Sequence, residues 1–172
     1  MKAPIGIIAA MRDELAPLRR RLSDLKIATA VTGDGAARAA LGASRFLDRQ
    51  RPSTLLGVGV AGGLTPAAGR GELIVAERLI CGEERFEIEA SPLSERLLDA
   101  GARRGVIVHS PSIVATAEAK RALAVAAGID PAVAAIVDLE SDAWLRAART
   151  RGTPMARRAP SPCRTCPTWR AS

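Results

Sequence analysis

Short apolar runs alternate along this chain with segments whose apolar residues recur every three to four positions, and this alternation constrains the fold more than any other feature. Residues 5–9 form a continuous apolar run, as in a strand buried on both faces, and Met11, Leu15, Leu18 and Leu22 follow at helical spacing. Repeated units of this kind place parallel strands in one sheet with helices on both faces. We therefore predict an α/β fold, a three-layer αβα sandwich with a mixed, largely parallel central sheet.

The same periodicities predict the remaining elements. Strands are predicted at residues 25–31, 55–60, 73–79, 106–109 and 134–137, and helices at residues 37–47, 94–102, 118–127 and 140–149. In sheets of this type ligands bind beyond the carboxyl ends of the strands. Residues 10–14, 33–37, 59–64 and 137–141 lie at such ends, so a binding site is expected there.

Composition argues against several classes of protein. No apolar run approaches the roughly 20 residues that span a bilayer, and no signal-peptide pattern precedes the first strand. We therefore expect no membrane span and a cytoplasmic location. The chain has two Phe, two Trp and no Tyr, which leaves no aromatic ladder for single-stranded nucleic acid. We expect no specific nucleic-acid partner.

The net charge of +7 belongs to the C-terminal segment. Seven of the 25 basic residues lie from Arg146 onward and no acid follows that residue, so 18 basic groups balance 18 acidic groups in residues 1–145. Residues 154–172 also contain four prolines and little aliphatic periodicity. We therefore predict one α/β domain at residues 1–153 and a basic, Pro/Arg-rich, disordered tail at residues 154–172.

A glycine-rich segment ends the third predicted strand. Residues 57–64 read Gly-Val-Gly-Val-Ala-Gly-Gly-Leu, and their small side chains let a ligand approach the backbone closely. The letters Gly-x-Gly-x-x-Gly also occur in dinucleotide-binding loops. That alternative is disfavoured because Thr65, Pro66 and Gly69 interrupt the helix that such a loop requires.

Four segments, in this order, resemble the nucleoside phosphorylase and nucleosidase superfamily, which includes purine and uridine phosphorylases and methylthioadenosine/adenosylhomocysteine nucleosidase. They are Met-Arg-Asp-Glu at residues 11–14, Thr-Gly-Asp-Gly at 32–35, Gly-Val-Ala-Gly-Gly-Leu at 59–64 and Val-Asp-Leu-Glu-Ser at 137–141. The resemblance covers roughly residues 5–153. Within the superfamily, Val60 and residues 114–123 are most similar to the hopanoid-associated phosphorylase group.

The resemblance implies cleavage of the N-glycosidic bond of a purine, adenosine-type nucleoside, in nucleoside metabolism or hopanoid-linked salvage. It makes Glu140 the ligand of the ribose hydroxyls and assigns Glu14 to the water-activating site, so these two are the expected catalytic residues. Either carboxylate also suits an ordinary first-turn helix position. The expected substrate-binding residues are Met11, Gly33, Gly35, Val60, Ala61, Gly62, Asp138 and Leu139.

The expected partner is a small-molecule nucleoside, with phosphate as a possible co-substrate and no other cofactor. The resemblance implies a homo-oligomer if the protein is complete. A metal site is not expected, because the Cys163-x-x-Cys166 pair has no second pair and Cys81 is remote from it in sequence.

The chain departs from the superfamily pattern after Thr153. Superfamily members continue there as an aliphatic strand into Arg-x-x-Ser-Asp, whose Asp serves the leaving purine, whereas this chain has no Asp beyond Asp142. We expect the last strand, the closing helix and much of the flap between Glu77 and Leu97 to be missing. An Arg-rich chain without Asn or Tyr is typical of a GC-rich gene, in which a shifted reading frame from about residue 155 would give such a tail. The alternative function is therefore a catalytically inactive, truncated homologue that at most binds a purine.

Overall fold

The computed structural model describes residues 3–22 and 27–160, with nine strands and five helices in these two ranges. In chain order the elements are β1 Ile5–Ala9, α1 Arg12–Leu22, β2 Ile27–Val31, α2 Ala36–Gln50, β3 Thr54–Val58, β4 Gly62–Gly63, β5 Leu73–Cys81, β6 Glu84–Glu87, α3 Pro92–Asp99, β7 Arg103–His109, α4 Ala117–Ala126, β8 Ala135–Asp138, α5 Ser141–Thr150 and β9 Met155–Pro160. None of these helices is long and apolar enough to cross a bilayer.

The strands form one mixed sheet in the order β2-β1-β3-β9-β5-β7-β8-β4, with β6 paired to β5. Strands β1, β2 and β3 pair in parallel, as do β3 with β9, β5 with β7 and β7 with β8. The antiparallel pairs are β5 with β6, β5 with β9 and β4 with β8. The predicted α/β architecture with a largely parallel sheet is confirmed.

Alternating residues of the central strands face opposite layers of helices. Ile8 of β1 belongs to the cluster that contains Phe46 of α2 and Trp144 of α5, whereas Ile7 packs with Leu15 of α1. Neighbouring strand residues point to opposite faces of a sheet, so a continuous apolar strand requires helices on both sides. A third cluster joins α4 to β7 and β8.

The strand β9 corrects the expectation that no strand follows Thr153. Met155–Pro160 lies in the middle of the sheet, parallel to β3 and antiparallel to β5, and Leu55 donates its N–H to the Pro154 carbonyl at 2.8 Å. The Arg and Pro residues of this segment argued against a strand. A strand between two others is held chiefly by backbone hydrogen bonds on both edges, which do not require apolar side chains.

Two further strands, β4 and β6, were not predicted from the sequence. Residues 77–97 contain the end of β5, the strand β6 and the helix α3. The segment after β9, where the closing helix was expected to be missing, lies outside the described residues together with the Cys163-x-x-Cys166 pair and most of the predicted tail. Residues 25 and 26 of the second predicted strand also lie outside them.

Candidate active site

The four motif segments lie at the carboxyl ends of β1, β2, β3 and β8. In the sheet order β3 and β8 are separated by three strands, but β4 follows β3 directly along the chain and pairs with β8, with Gly62 opposite Val137. This short strand brings the end of β3 back beside the end of β8. The β4–β8 pairing therefore brings together residues that lie far apart in the sequence.

Glu14 connects the first and third segments. As the third residue of α1, it accepts the Met11 backbone N–H at 2.9 Å through Oε2, which is half of a capping box. Its Oε1 accepts the backbone N–H of Val60 at 2.8 Å, across 46 residues of sequence. A Cβ on Gly59 would lie 3.0 Å from the same oxygen, so glycine there leaves room for the carboxylate. Glu14 thus holds two of the predicted substrate-contacting loops together.

Glu140 connects the second and fourth segments. It occupies the N-cap position of α5 without capping that helix, and its Oε1 instead accepts the Gly35 backbone N–H at 2.8 Å. Gly35 is the N-cap residue of α2, with a φ of 80° that favours glycine. The carboxylate therefore lies at the N-terminus of α2, where the helix dipole stabilises negative charge. Because Glu140 takes this N–H, the Gly33–Gly35 turn does not present it to a phosphate.

Asp138 is 4% exposed and lies at the end of β8, where it pairs in register with His109. Its Oδ2 accepts a hydrogen bond from the Ser141 hydroxyl, which is fully buried at the first position of α5. Asp138 therefore fixes the corner between β8 and α5, and Leu139 and Glu140 follow on that corner. Its predicted contact with substrate stays a prediction.

A buried pair of hydrogen bonds positions the second segment against α5. Trp144 is 1% exposed and donates its indole N–H to the Thr32 hydroxyl oxygen at 3.0 Å. The same hydroxyl donates to the Ala9 carbonyl at 3.2 Å. Because Gly33 also donates its N–H to the Ala10 carbonyl at 3.2 Å, the ends of β1 and β2 are tied together below the site.

A cleft of about 270 Å³ opens between α1 and the end of β3. Its lining residues are Asp13, Glu14, Pro17, Leu18, Val58, Gly59 and Val60. Met11 and Val60 are apolar yet 51% and 44% exposed, whereas Ala61 is buried. The volume is close to the lower end of small-molecule sites, roughly 300 Å³. The cleft thus combines apolar side chains, among them the exposed Val60, with the Glu14 carboxylate.

Lys120 lies beside the third motif segment, although no sequence motif contains it. It lies on α4, is only 5% exposed, and its Nζ is 4.0 Å from the position that a Cβ would take on Gly62. A buried ammonium group is unusual in a helix that is otherwise rich in alanine. One signal was available, because Lys120 is one of only three lysines in a chain with 22 arginines.

A separate group of possible metal ligands, Cys81, His109 and Asp142, lies at the ends of β5 and β7 and at the start of α5. In the second motif segment, a hydrogen bond from Arg38 holds the pKa of the exposed Asp34 carboxyl below its usual value, and the two form a salt bridge at 2.7 Å. That exposed pair contributes little to stability.

The fold and the strand ends joined by Glu14 and Glu140 define an α/β protein with a candidate small-molecule site where β1, β2, β3 and β8 end. The chain belongs to the phosphorylase superfamily, whose family model matches residues 20–157. This match confirms the resemblance found in the sequence.

Among curated proteins, the chain is 28% identical over 97 residues to a 5′-methylthioadenosine/S-adenosylhomocysteine nucleosidase of Listeria monocytogenes. The match covers 46% of this chain and 42% of that relative, so the chain spans less than half the length of the relative that it matches.

Solved nucleosidases have the same fold. The S-adenosylhomocysteine nucleosidase of Streptococcus pyogenes, in complex with 5-methylthiotubericidin, superposes with a TM-score of 0.80 at 20% identity, over 93% of this chain and 83% of that one. A mutant nucleosidase of Helicobacter pylori with 5′-methylthioadenosine in its active site gives a TM-score of 0.82 at 18% identity, over 94% of this chain and 85% of that one. A futalosine hydrolase mutant of the same species gives a TM-score of 0.78 at 20% identity, over 92% of this chain and 85% of that one.

Proposed function

We propose that the chain cleaves the N-glycosidic bond of a purine nucleoside of the adenosine type and releases the free base. The observation that carries this proposal is the joining of the four motif segments by two carboxylates. Glu14 joins the β1 and β3 ends, and Glu140 joins the β2 and β8 ends. Membership of the phosphorylase superfamily and the likeness to nucleosidases support the same reaction.

The transition state of this reaction carries positive charge on the ribose, so the site must hold the sugar and stabilise the leaving base. Glu140 accepts hydrogen bonds from the two ribose hydroxyls, since a carboxylate has acceptor sites for both. Met11 and Leu139 pack against the sugar, and the backbone of Ala61 and Gly62 contacts the base. In the free protein the Gly35 N–H holds the Glu140 carboxylate in place for this task.

We assign water, rather than phosphate, as the nucleophile. Glu14 lies beside the cleft with both oxygens accepting backbone N–H groups, and a carboxylate that has further lone pairs can also orient and deprotonate a water molecule. The backbone N–H of Gly35 donates to Glu140, so it is not available as a donor to a bound phosphate.

The leaving base needs stabilisation, and the sequence has no Asp after β9 to provide it. In our proposal Lys120 supplies this stabilisation. Its ammonium group lies next to Gly62, beside the proposed base position, and its burial strengthens its electrostatic effect. A cation there stabilises the negative charge that develops on the purine as the bond breaks.

A second candidate function is a catalytically inactive homologue that binds a purine without cleaving it. The specific observation in its favour is again the missing Asp. The finer assignment to a hopanoid-linked nucleoside depends on Val60 and residues 114–123 alone. This assignment stays a proposal. A homo-oligomeric assembly is also a proposal, and the mass of the protein in solution would test it.

The test is release of adenine from adenosine and from 5′-methylthioadenosine by the purified full chain, followed by chromatography with and without phosphate. We expect free base and free sugar in both buffers. A sugar phosphate formed only with phosphate would replace water by phosphate as the nucleophile. If no base is released but adenine raises the melting temperature, the inactive binding homologue is the correct alternative, and no response in either assay would refute both functions.

A further inference from the structure

Three side chains with metal-binding donor atoms meet outside the proposed nucleoside site. They are Cys81 at the end of β5, His109 at the end of β7 and Asp142 near the start of α5, and all three are half-buried. One donor atom from each lies within 4.8 Å of the other two. Thiolate, imidazole and carboxylate are the three protein ligand types of zinc.

The sheet topology brings these residues together. Strands β5 and β7 are parallel and paired up to Ile80 and Val108, so Cys81 and His109 follow at the same edge. His109 also pairs with Asp138, after which the chain turns into α5 and reaches Asp142 four residues later. The cluster therefore depends on the two strand pairings and the β8–α5 corner, which the sequence alone does not reveal.

A second observation concerns the histidine ring. The Nδ1 atom of His109 is shielded from solvent and has no hydrogen-bond partner among the residues that the structure describes. A buried polar atom without a partner destabilises the folded state, so such atoms are uncommon in native proteins. Imidazole binds metals through either ring nitrogen, and coordination supplies the partner that a buried nitrogen lacks.

The surrounding charge is suited to a divalent cation. Arg146 binds both oxygens of Asp142 at 2.9 Å and also binds Glu84, so one guanidinium faces two carboxylates. A Cys81 thiolate would raise the local negative charge to two, which a divalent ion would neutralise. The guanidinium also orients the Asp142 carboxylate, as neighbours of metal ligands commonly do.

The distances require only a small adjustment. Neighbouring ligands of a tetrahedral zinc ion with bonds of about 2.0–2.3 Å lie about 3.3–3.7 Å apart. The donor atoms lie at most 4.8 Å apart, so side-chain rotations that move them by about 1 Å would bring them to the spacing of zinc ligands without movement of the strands. Half-buried side chains at the ends of strands and helices have this freedom.

We propose that Cys81, His109 and Asp142 bind a zinc-type divalent metal ion, with a water molecule as the fourth ligand. The ion fastens the ends of β5 and β7 to the first turn of α5. It thereby stabilises the β8–α5 corner that carries Asp138 and Glu140. This site does not depend on the proposed nucleoside cleavage, since its ligands are separate from that site.

The test is a titration of the metal-free full chain with Co²⁺, a spectroscopic substitute for zinc whose thiolate complexes absorb in the near ultraviolet. Cys163 and Cys166 are first replaced by Ser, so that Cys81 is the only thiol. We expect a thiolate-to-cobalt absorption band that saturates at one equivalent and is abolished by Cys81→Ser. Zinc should displace the cobalt and raise the melting temperature, because a ligand that binds only the folded state stabilises it.

A His109→Asn variant provides an independent test that leaves the thiol in place. Loss of one direct ligand should weaken cobalt binding by about 100-fold or more, beyond the 10–100-fold effect of altering an outer neighbour. Circular dichroism of both variants checks that they remain folded. The proposal is refuted if the protein with Cys163→Ser and Cys166→Ser shows no stoichiometric band, if the band persists after Cys81→Ser, or if His109→Asn binds cobalt as tightly as the protein that retains His109.

Discussion

The substitution Lys120→Met separates a catalytic role of the buried ammonium group from a structural one. Methionine has a similar length and shape but no charge, so it fills the space between α4 and Gly62 without leaving a cavity. If Lys120 stabilises the leaving base, the substitution lowers the rate of base release. If it serves only to fill space, the rate stays the same.

The size of the effect follows from the geometry. A base stacked against Gly62 would lie about 4 Å from Nζ, since a Cβ on Gly62 would be 4.0 Å from that atom. Two unit charges at about 4 Å interact by about 4 kcal/mol at an effective dielectric constant of about 20. If about half a charge develops on the base in the transition state, the contribution is about 2 kcal/mol. Each 1.4 kcal/mol corresponds to about tenfold, so kcat should fall about 30-fold.

The free energy of unfolding of Lys120→Met is expected to change little or to increase. Lys120 is 5% exposed, and burying an ammonium group is unfavourable because it loses water. Its replacement by methionine should therefore leave the free energy of unfolding within about 1 kcal/mol of the original value, or raise it.

The assay is adenine release under saturating nucleoside, with thermal unfolding of the same samples. Arg121→Met is the matched control, because it removes one positive charge from an exposed neighbouring position on α4 and should leave kcat unchanged. An unchanged kcat in Lys120→Met would contradict the electrostatic argument. So would an equal loss in the control, which would indicate a general effect of net charge.

Three further predictions concern the site and the packing below it. Glu140→Gln should lower kcat/KM about 10–100-fold, because the charge-assisted hydrogen bonds to the ribose are lost. The melting temperature should stay constant, since the amide oxygen still accepts the Gly35 N–H. Unchanged base release would contradict this role of Glu140. Thr32→Val removes the acceptor of the buried Trp144 indole and should cost about 1–3 kcal/mol, or about 2–4 °C of melting temperature for each kcal/mol, in a thermal unfolding experiment. Gly42→Ala would place a Cβ 2.4 Å from the Thr32 carbonyl oxygen, and the free energy of unfolding should fall by at least about 1–3 kcal/mol in the same thermal experiment. An unchanged melting temperature would show that α2 can move away from β2.

The sequence predicted the α/β class and most elements because strand and helix periodicities are local properties. Residues 6–9 and 55–58, for example, are buried and carry no polar side chain, so their pattern could be read directly. The bounds were less accurate: β7 begins at Arg103 rather than Val106. An exposed strand end, such as Arg103 and Arg104, has no apolar pattern to mark it.

The strand β9 could not be predicted because its stability comes from its neighbours. Residues 157 and 158 are both arginines, and Pro160 has no N–H to donate, so local preference opposes a strand. Its place between β3 and β5 is created by the rest of the sheet. No window of sequence contains that information.

The sequence by itself determined which short segments have the chemistry of a site. The glycines at 33, 35 and 59 and the carboxylates of Glu14 and Glu140 could be recognised because their motifs are contiguous. Only the tertiary structure decided how these groups are used: Glu14 binds Val60, and Glu140 binds Gly35 across 105 residues. The burial of Lys120 and the meeting of the three metal-type ligands were likewise decided by tertiary structure. The physical reason is that periodicity and motifs depend on neighbours along the chain, whereas hydrogen bonds and burial depend on which strands pair in space.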